Sequence, residues 1–474
     1  MKIVVAGGSA AGGFTVLLLA RAGHEVVVLE QERLRLAPDV ESAAKAAFRP
    51  TAPQLVQPHF AMAKCRQLLQ RRLSDIYRKL LTAGVAEAPI RALMPGSLGD
   101  TADWPGDDEL TMLMSRRSTI DWVLHGAVRA EPGITARYGV KILGLQAASG
   151  AVPQVTGVCT NQGDVPADLV VDATGRRSRI DGWLKQIGAL PAAVAQAECG
   201  LAYFSRIYRL RPGRPLPGLA TTRVLAILDE FTAGIWGGDN GTMQLAIAPL
   251  AADRRFRALT NASVFTAVLR TVPPLAAWLD ALEPVSGVFA MGGLHNTMRR
   301  LVVRGAPVAI GLHAVGDSVC TTNPTFGRGL SVSLAGAADL TDTISAHPAD
   351  LVAQALTLDS LAADHIVPFY ADQAAIDAER LAMLRHAVYG APLPREQAPG
   401  FGRISFAQLR MAASVDAAAF RGLWKIMGMT CKPADVYADP LVVARTRAAL
   451  RSGGGAPPTV EPSRDQLLAA LAGS

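Results

Sequence analysis

The first thirty residues, MKIVVAGGSAAGGFTVLLLARAGHEVVVLE (1–30), decide the fold of the chain. Residues 2–6 are apolar and β-branched, which is typical of a buried strand. A glycine-rich turn over 7–12 follows, then helix formers over 14–22, and then a second apolar strand that ends at Glu30. This order of strand, turn, helix, strand and acid predicts a dinucleotide site, with a pyrophosphate on the free N–H groups of the helix N-terminus.

The turn departs from the usual G-x-G-x-x-G because Ser9 stands where the middle glycine is expected. The hydroxymethyl group is small, so we expect the turn to form, with the phosphate slightly farther out or bonded to the hydroxyl. A nucleophile elbow, G-x-S-x-G, is the alternative, but its final glycine is missing and it leaves Glu30, a candidate ribose acceptor, unexplained. The residues expected to hold the nucleotide here are Gly7, Gly8, Ser9, Ala10, Ala11, Gly12, Glu30 and Gln31.

Composition favours a globular protein of two or three lobes. The chain has 474 residues, 50% of them hydrophobic and 18% charged, and no apolar run reaches the roughly 18 residues of a membrane span. The net charge of +7 comes from scattered basic residues, so we expect no nucleic-acid partner. The N-terminus is a predicted strand rather than a signal peptide. The five separated cysteines predict reduced thiols in the cytoplasm, and no H-E-x-x-H cluster suggests a metal.

A second informative stretch is AIGLHAVGDSVCTTNPTFGRGLSVSL (309–334). Apolar residues lead to Gly316-Asp317, a loop with Asn323, Pro324, Gly327 and Gly329 follows, and a helix is predicted from about Arg328. A Gly-Asp pair alone carries little information. A strand that ends in this pair and leads through a Pro/Gly loop into a helix is a specific pattern.

With this second stretch the chain resembles the FAD-dependent monooxygenases of the aromatic-hydroxylase fold. The resemblance covers roughly residues 1–345 and is strongest to the branch of polyether-type olefin epoxidases and relatives of flavin halogenases. The segments that carry it are GGSAAG with Glu30, Arg49…Pro53-Gln54…His59, Arg117 in SRRSTIDW, and VVDATGRRS with VGDSVCTTNPTFGRGLS.

The resemblance implies roles for residues in these segments. Asp317 bonds a ribityl hydroxyl, Arg117 contacts the phosphate region of FAD, and the loop from Asn323 to Leu330 presents backbone N–H groups to the N1 and O2 edge of the flavin. The helix N-terminus after Gly329 suits the anionic reduced ring. The remaining cofactor residues expected are Arg49, Ile142, Asp172, Gly175, Gly316, Pro324, Gly327, Gly329 and Leu330.

The implied function is insertion of one oxygen atom of O2 into a hydrophobic small molecule, by epoxidation or hydroxylation, through a flavin C4a-hydroperoxide. NAD(P)H is the expected reductant, directly or through a separate flavin reductase, because the DATG segment (172–175) is not a convincing nicotinamide site. A reductase or dehydrogenase of the same fold, acting on a prenyl-like substrate, is the alternative. A halogenase is less favoured because W-x-W-x-I-P is absent and Lys79 lies in a plain amphipathic helix pattern.

The fold class expected is α/β, and the chain is divided into four regions. These are a Rossmann-like FAD-binding domain over 1–190 and 290–346, an inserted antiparallel-sheet substrate domain over 191–289, a helical region over 347–451 and a flexible tail over 452–474. Local patterns predict a helix over 60–84, four strands over 198–250, a strand over 300–315 and a break in the helical region at Pro392, Pro394 and Pro399. An apolar pocket beneath the antiparallel sheet would hold the substrate. Its candidate walls, equally consistent with core packing, are Tyr203, Phe204, Trp236 and Met243, and Arg206 is either a carboxylate anchor or a surface residue.

Overall fold

The structure is a computed structural model that describes residues 1–394, 400, 402–453 and 462–473. Its helices and strands confirm the mixed α/β class. The strands are β1 (Lys2–Ala6), β2 (Glu25–Glu30), β3 (Phe60–Ala61), β4 (Ala86–Ala88), β5 (Met112–Met114), β6 (Ile134–Tyr138), β7 (Ile142–Ala148), β8 (Gln154–Thr160), β9 (Gly163–Pro166), β10 (Leu169–Asp172), β11 (Ala193–Glu198), β12 (Tyr203–Leu210), β13 (Arg223–Ile227), β14 (Phe231–Gly237), β15 (Thr242–Pro249), β16 (Leu282–Pro284), β17 (Phe289–Met291), β18 (His295–Arg300), β19 (Val302–Val303), β20 (Ala306–Pro307), β21 (Leu312–Ala314) and β22 (Cys320–Thr321).

The α-helices of the described residues follow the same order along the chain. They are α1 (Ala10–Arg21), α2 (Val40–Lys45), α3 (Ala63–Arg72), α4 (Ser74–Thr82), α5 (Arg117–Ala130), α6 (Ile180–Gln186), α7 (Ala262–Arg270), α8 (Pro273–Leu279), α9 (Gly329–Ala346), α10 (Leu351–His365), α11 (Val367–Tyr389), α12 (Phe406–Ala412), α13 (Ala417–Met427), α14 (Pro433–Ala438), α15 (Pro440–Arg451) and α16 (Arg464–Ala472). None of these helices is long and apolar enough to cross a membrane.

A five-stranded parallel sheet in the order β21-β10-β1-β2-β6 holds the N-terminal motif. Because side chains alternate across a strand, Ile3 and Val5 pack towards α1, α5 and α9, whereas Val4 and Ala6 pack towards the β7-β8-β9 sheet. Strand β10 is completely buried, which explains why its sequence is apolar up to Asp172. The first strand therefore lies in the middle of the sheet, with its turn at the carboxyl edge.

A second, antiparallel sheet has the order β13-β14-β15-β12-β16, with β17 also beside β12. It contains the four strands predicted over 198–250. One face packs on α7, α8 and α16, and the opposite face packs on the C-terminal helices α12 and α13. A short sheet, β11-β18-β22, joins this lobe to the parallel sheet.

Three expectations for local structure are corrected. The helix predicted over 60–84 is two helices, because Leu73 leaves the helical conformation and buries its side chain completely. The strand predicted over 300–315 is three short pieces, β19, β20 and β21.

The tail predicted to be flexible over 452–474 contains a helix, α16, so this prediction is wrong for that part of the tail. Ser463 and Gln466 form a capping box at its start, and Leu467 and Leu471 pack against the antiparallel-sheet lobe. Residues 454–461 and 474 of that tail, and Pro399 of the break predicted in the helical region, lie outside the described residues. The division into domains stays a prediction.

Candidate functional site

One cavity of about 510 Å³ lies at the carboxyl ends of β1, β2 and β10. In open α/β sheets, ligands bind at this edge of the strands. The cavity brings together residues that are more than 300 positions apart, from Gly7 to Leu330. The predicted cofactor residues that line it are Gly7, Ser9, Ala11, Glu30, Gln31, Arg49, Arg117, Ile142, Gly175, Asp317, Asn323, Pro324, Gly327, Gly329 and Leu330.

Five predicted residues, Gly8, Ala10, Gly12, Asp172 and Gly316, do not line the cavity. Three of them shape its wall from behind. A Cβ atom on Gly12 would lie 1.9 Å from the Gly7 carbonyl oxygen, so only glycine permits this turn. A Cβ atom on Gly316, where φ is +62°, would lie 2.7 Å from Ala11 Cβ. Asp172 accepts the backbone N–H of Thr174 at 2.9 Å and thereby holds the turn after β10.

Glu30 ends β2 with its carboxylate almost completely buried. The backbone N–H of Gly8 donates to its Oε2 at 2.9 Å, and the backbone N–H of Glu32 donates to its Oε1 at 2.9 Å. Arg49 lies 3.4 Å from the same Oε2 and also binds the carboxylate of Glu32. The Nη1 atom of Arg49 is buried and has no hydrogen-bond partner in the described part of the chain. This end of the cavity therefore holds a fixed acid beside a guanidinium with an unsatisfied donor.

The hydroxyl of Ser9 connects the turn to α5. It donates to Asp121 Oδ2 at 3.0 Å and accepts from Arg117 Nη2 at 3.3 Å, while Arg117 Nε donates to Asp121 Oδ1 at 2.7 Å. Burial acts to raise the pKa of Asp121, but Arg117 and His125 hold that pKa below its usual value. Serine at the place of the middle glycine thus orients Arg117 at the cavity wall.

The carboxylate of Asp317 faces the cavity. It makes no hydrogen bond to any described residue, although the residue is mostly enclosed by the protein. Burial raises the pKa of Asp317, and the positive charges of Arg117 and Arg176 oppose that shift. A carboxylate in this setting needs hydrogen-bond donors, and the cavity is the side from which a ligand can supply them.

The loop from Asn323 to Gly327 is fixed by a buried polar network. The backbone N–H of Asn323 donates to Asn296 Oδ1 at 2.7 Å, and its Nδ2 donates to Asp377 Oδ1 at 2.9 Å. Its Oδ1 accepts the hydroxyl of Tyr203 and the backbone N–H of Thr325. The N–H of Asn323 is therefore engaged inside the protein. The N–H groups available to a ligand are those at the start of α9, at Gly329 and Leu330.

Residues 57–60 form a wall of the cavity, and no individual roles were predicted for them from the sequence. Ser205 donates its hydroxyl to Gln57 Oε1 at 2.8 Å, and Gln244 Oε1 accepts the backbone N–H of His59 at 3.0 Å. These bonds attach the segment to the antiparallel sheet. Burial, together with the charge of Arg117, lowers the pKa of His59 to about 4, so its ring is neutral near pH 7. The hydrogen lies on Nδ1, which donates to the Gln57 carbonyl oxygen at 3.0 Å.

The comparisons with known proteins identify the fold. No protein-family model matches the chain. Protein Rv3254 of Mycobacterium tuberculosis is 26% identical over 359 residues, which are 70% of this chain and 70% of that protein. The flavin-dependent brominase Bmp2 matches with a TM-score of 0.62 at 14% identity, over 96% of this chain and 100% of that one. The probable FAD-dependent monooxygenase PqsL of Pseudomonas aeruginosa matches with a TM-score of 0.56 at 14% identity, over 82% and 99%.

The chain shares the fold of Bmp2 and PqsL. Its own antiparallel sheet presents one face to the cavity and the opposite face to α7 and α8, so strand alternation sorts the predicted substrate residues. Phe204 and Met243 are core residues of the second face. Arg206 lies over the Tyr208 ring on that same face and donates to the Ser286 carbonyl oxygen at 2.9 Å. The structure therefore does not bring these three residues to the cavity.

Tyr203 and Trp236 lie on the face towards the cavity. Tyr203 bonds Asn323 in the cavity wall, and Trp236 packs in one apolar cluster with Phe60, which lines the cavity. Lys79, weighed for halogenation, lies on α4 beside an outer groove and is 3.9 Å from Asp75. It is not part of the cavity wall.

Proposed function

We propose that the chain is an FAD-dependent monooxygenase that inserts one oxygen atom of O2 into a hydrophobic small molecule, by epoxidation or hydroxylation. One observation carries the proposal. A single cavity joins the dinucleotide turn and Glu30 to the unpartnered carboxylate of Asp317. A ligand that satisfies the turn, Glu30 and Asp317 has an adenylate half, a pyrophosphate and a polyhydroxyl chain. FAD has all three, whereas FMN lacks the adenylate half.

The residues present fit this cofactor. The turn over 7–12 is tight because a side chain at Gly12 would collide with the Gly7 carbonyl oxygen, and the small residues over 9–11 leave room for a pyrophosphate. The buried Nη1 of Arg49 lacks an acceptor, which an anionic phosphate supplies. The carboxylate of Asp317 lacks donors, which ribityl hydroxyls supply. We assign the adenosine end to Glu30 and the ribityl chain to Asp317.

When bound, FAD would supply the redox chemistry and the activation of O2. The residues of the chain would bind and orient the cofactor and shield it from water. The N-terminus of α9 directs the N–H groups of Gly329 and Leu330 at the cavity, and its dipole favours negative charge there by up to about 2 kcal/mol when partly buried. Phe60 and Met291 provide apolar wall, which helps to exclude water. His59 contributes a neutral ring whose Nε2 is free to accept a hydrogen bond.

Electron supply belongs to the same proposal. NAD(P)H is the ultimate reductant, and we expect a separate flavin reductase to deliver reduced flavin, because the backbone N–H groups of Thr174 and Gly175 are already bonded to Asp172 and Ser318 and are not available to a nicotinamide. The five free thiols support a reducing, cytoplasmic compartment.

Cofactor analysis and oxygen uptake test the proposal. Protein purified with its cofactor is heated, and the released flavin is separated by chromatography; we expect FAD, and FMN alone would contradict the assignment. Photoreduced, FAD-loaded protein is then mixed with O2 and with candidate hydrophobic alkenes and phenols. Substrate-dependent transfer of ¹⁸O from labelled O2 into product is expected. Product formation without O2 would instead support the reductase alternative. Rapid NADPH oxidation by the isolated protein would remove the need for a reductase partner.

A further inference from the structure

Arg223 is a half-buried cation without a counter-ion in the described part of the chain. It begins β13 on the sheet face that packs on the C-terminal helices, and its guanidinium lies 5.1 Å from the ring centre of Trp424 on α13. Within the described residues it makes no hydrogen bond or ion pair through its side chain, and its Nε is buried without a partner. Burial alone lowers the pKa of Arg223 to about 10, because no carboxylate is close enough to oppose the shift.

A second unsatisfied donor lies beside it. Trp236 is paired directly with Arg223 across β13 and β14, which places the two Cβ atoms about 5 Å apart on one face of the sheet. Trp236 is 9% exposed, and its indole Nε1 is buried with no acceptor in the described chain. Two strong donors on neighbouring positions therefore lack acceptors.

Arg328, in the same region, shows what a structural buried arginine looks like here. Its guanidinium lies over Phe326 and Phe369, donates to the Phe369 carbonyl oxygen at 3.0 Å and pairs with Asp372 at 3.3 Å. Arg223 has the aromatic neighbour but none of the acceptors. A half-buried cation without a counter-ion does not stabilise the folded chain, so its presence requires another reason.

The position of the pair supplies that reason. Trp236 and Trp424 belong to the apolar cluster that also contains Phe60 and Phe326, and Phe60 lines the cavity. The sheet surface next to Trp236 is made of small residues, Gly234 and Ala246, and the indole ring lies over Gly234. An apolar, aromatic-lined region thus extends from the cavity wall to a cation with unsatisfied N–H groups.

We propose that the substrate is a hydrophobic carboxylic acid whose carboxylate pairs with Arg223 and accepts the indole N–H of Trp236. The planar guanidinium matches a carboxylate in shape and charge, and the single positive charge suits a monoanion. The aromatic surfaces of Trp236 and Trp424 then contact the apolar body, which is directed towards the cavity. This inference rests on the proposed function, because it identifies the bound acid with the molecule that is oxidised.

Titration calorimetry on the FAD-loaded protein tests the proposal. The probes are benzoate, 2-naphthoate and decanoate, each compared with its neutral carboxamide. We expect at least one carboxylate to bind at least tenfold more tightly than its carboxamide. Arg223→Met should abolish that preference, and Arg206→Met, on the opposite face of the same sheet, should keep it. A panel without any carboxylate preference, or a preference that survives in Arg223→Met, would overturn the proposal.

Melting curves distinguish a ligand anchor from a structural arginine. Without ligand, Arg223→Met should melt at the same temperature as the unsubstituted chain or higher, because it removes a half-buried cation that has no counter-ion. The preferred carboxylate should raise the melting temperature of the unsubstituted chain and leave that of Arg223→Met unchanged. A large fall in melting temperature for Arg223→Met would overturn the anchor role. Parallel FAD titrations test the two proposals separately. A protein that prefers carboxylates but binds no FAD would refute the proposed monooxygenase function and not the carboxylate site.

Discussion

The two ends of the cavity are built on different principles. The nucleotide end uses residues close together in the chain, since the turn over 7–12 and Glu30 fall within one strand–helix–strand unit. The opposite end depends on Asn323, which is held by Asn296 on β18, Asp377 on α11 and Tyr203 on β12. One end is thus a local backbone shape, and the other is a network between four separate elements.

This difference determines which kind of substitution disrupts each end. At the nucleotide end the critical property is the absence of side-chain atoms, as at Gly12. At the opposite end it is the number of satisfied hydrogen bonds. Asp377 accepts from Asn296 at 2.6 Å, from Asn323 at 2.9 Å and from Gln373 at 3.0 Å. Burial raises the pKa of Asp377 to about 6, and these three amide donors oppose the shift. ADP as a probe reports the first end alone, whereas FAD reports both.

The largest effect is expected for Gly12→Ala. Its Cβ would lie 1.9 Å from the Gly7 carbonyl oxygen, so the turn must open. We expect loss of both ADP and FAD binding and a fall in the free energy of unfolding on the order of 3–5 kcal/mol, measured by urea denaturation. Gly13→Ala is the matched control, because its Cβ would meet Leu124 Cβ at an ordinary 3.5 Å. Equal behaviour of the two variants would contradict the comparison.

A smaller effect, confined to one ligand, is expected for Asp317→Ala. A hydrogen bond to a charged group contributes about 1.5–3 kcal/mol, so FAD affinity should fall by roughly ten- to a hundredfold. ADP affinity should not change, because ADP has no ribityl chain for Asp317 to bind. Asp317→Asn keeps one acceptor and should weaken FAD binding less. If fluorescence titration shows unchanged FAD affinity in the Ala variant, Asp317 is not a ribityl contact.

The smallest effect on binding is expected for Asp377→Asn, because Asp377 positions the loop and does not line the cavity. The new amide places a donor against another donor, so the free energy of unfolding should fall by about 1–3 kcal/mol. FAD affinity should fall by less than about tenfold, with ADP affinity unchanged. Glu379→Gln, exposed on the same helix, is the control. Equal losses for ADP and FAD would show that the two ends are not independent.

The same contrast explains what the sequence could predict. The positions of Gly7, Glu30 and Asp317 in the cavity wall were predictable because each belongs to a pattern contained in about thirty consecutive residues. Asp377 and Asn296 were not, since no local pattern marks two residues that meet only after the helical region packs on β18. The prediction of the substrate residues failed for another reason. Side chains alternate along a strand, so Phe204 and Arg206 lie on one face of the sheet and Tyr203 lies on the other. Sequence alone did not show which face is covered by α7 and α8.

The central position of β1 has a consequence for synthesis of the protein. Its neighbour β10 lies at residues 169–172, and β10 in turn pairs with β21 at 312–314, while α9 packs against α1. Of the strands of this sheet, β1 is made first, and the sheet is complete only when β21 has been made. Both edges of β1 are paired once β10 is present, but the outer edge of β10 and the surface that α9 covers stay open to wrong partners until residues 312–346 have been made. Slow translation before residue 346 should lengthen that exposure, whereas slow translation after it should not.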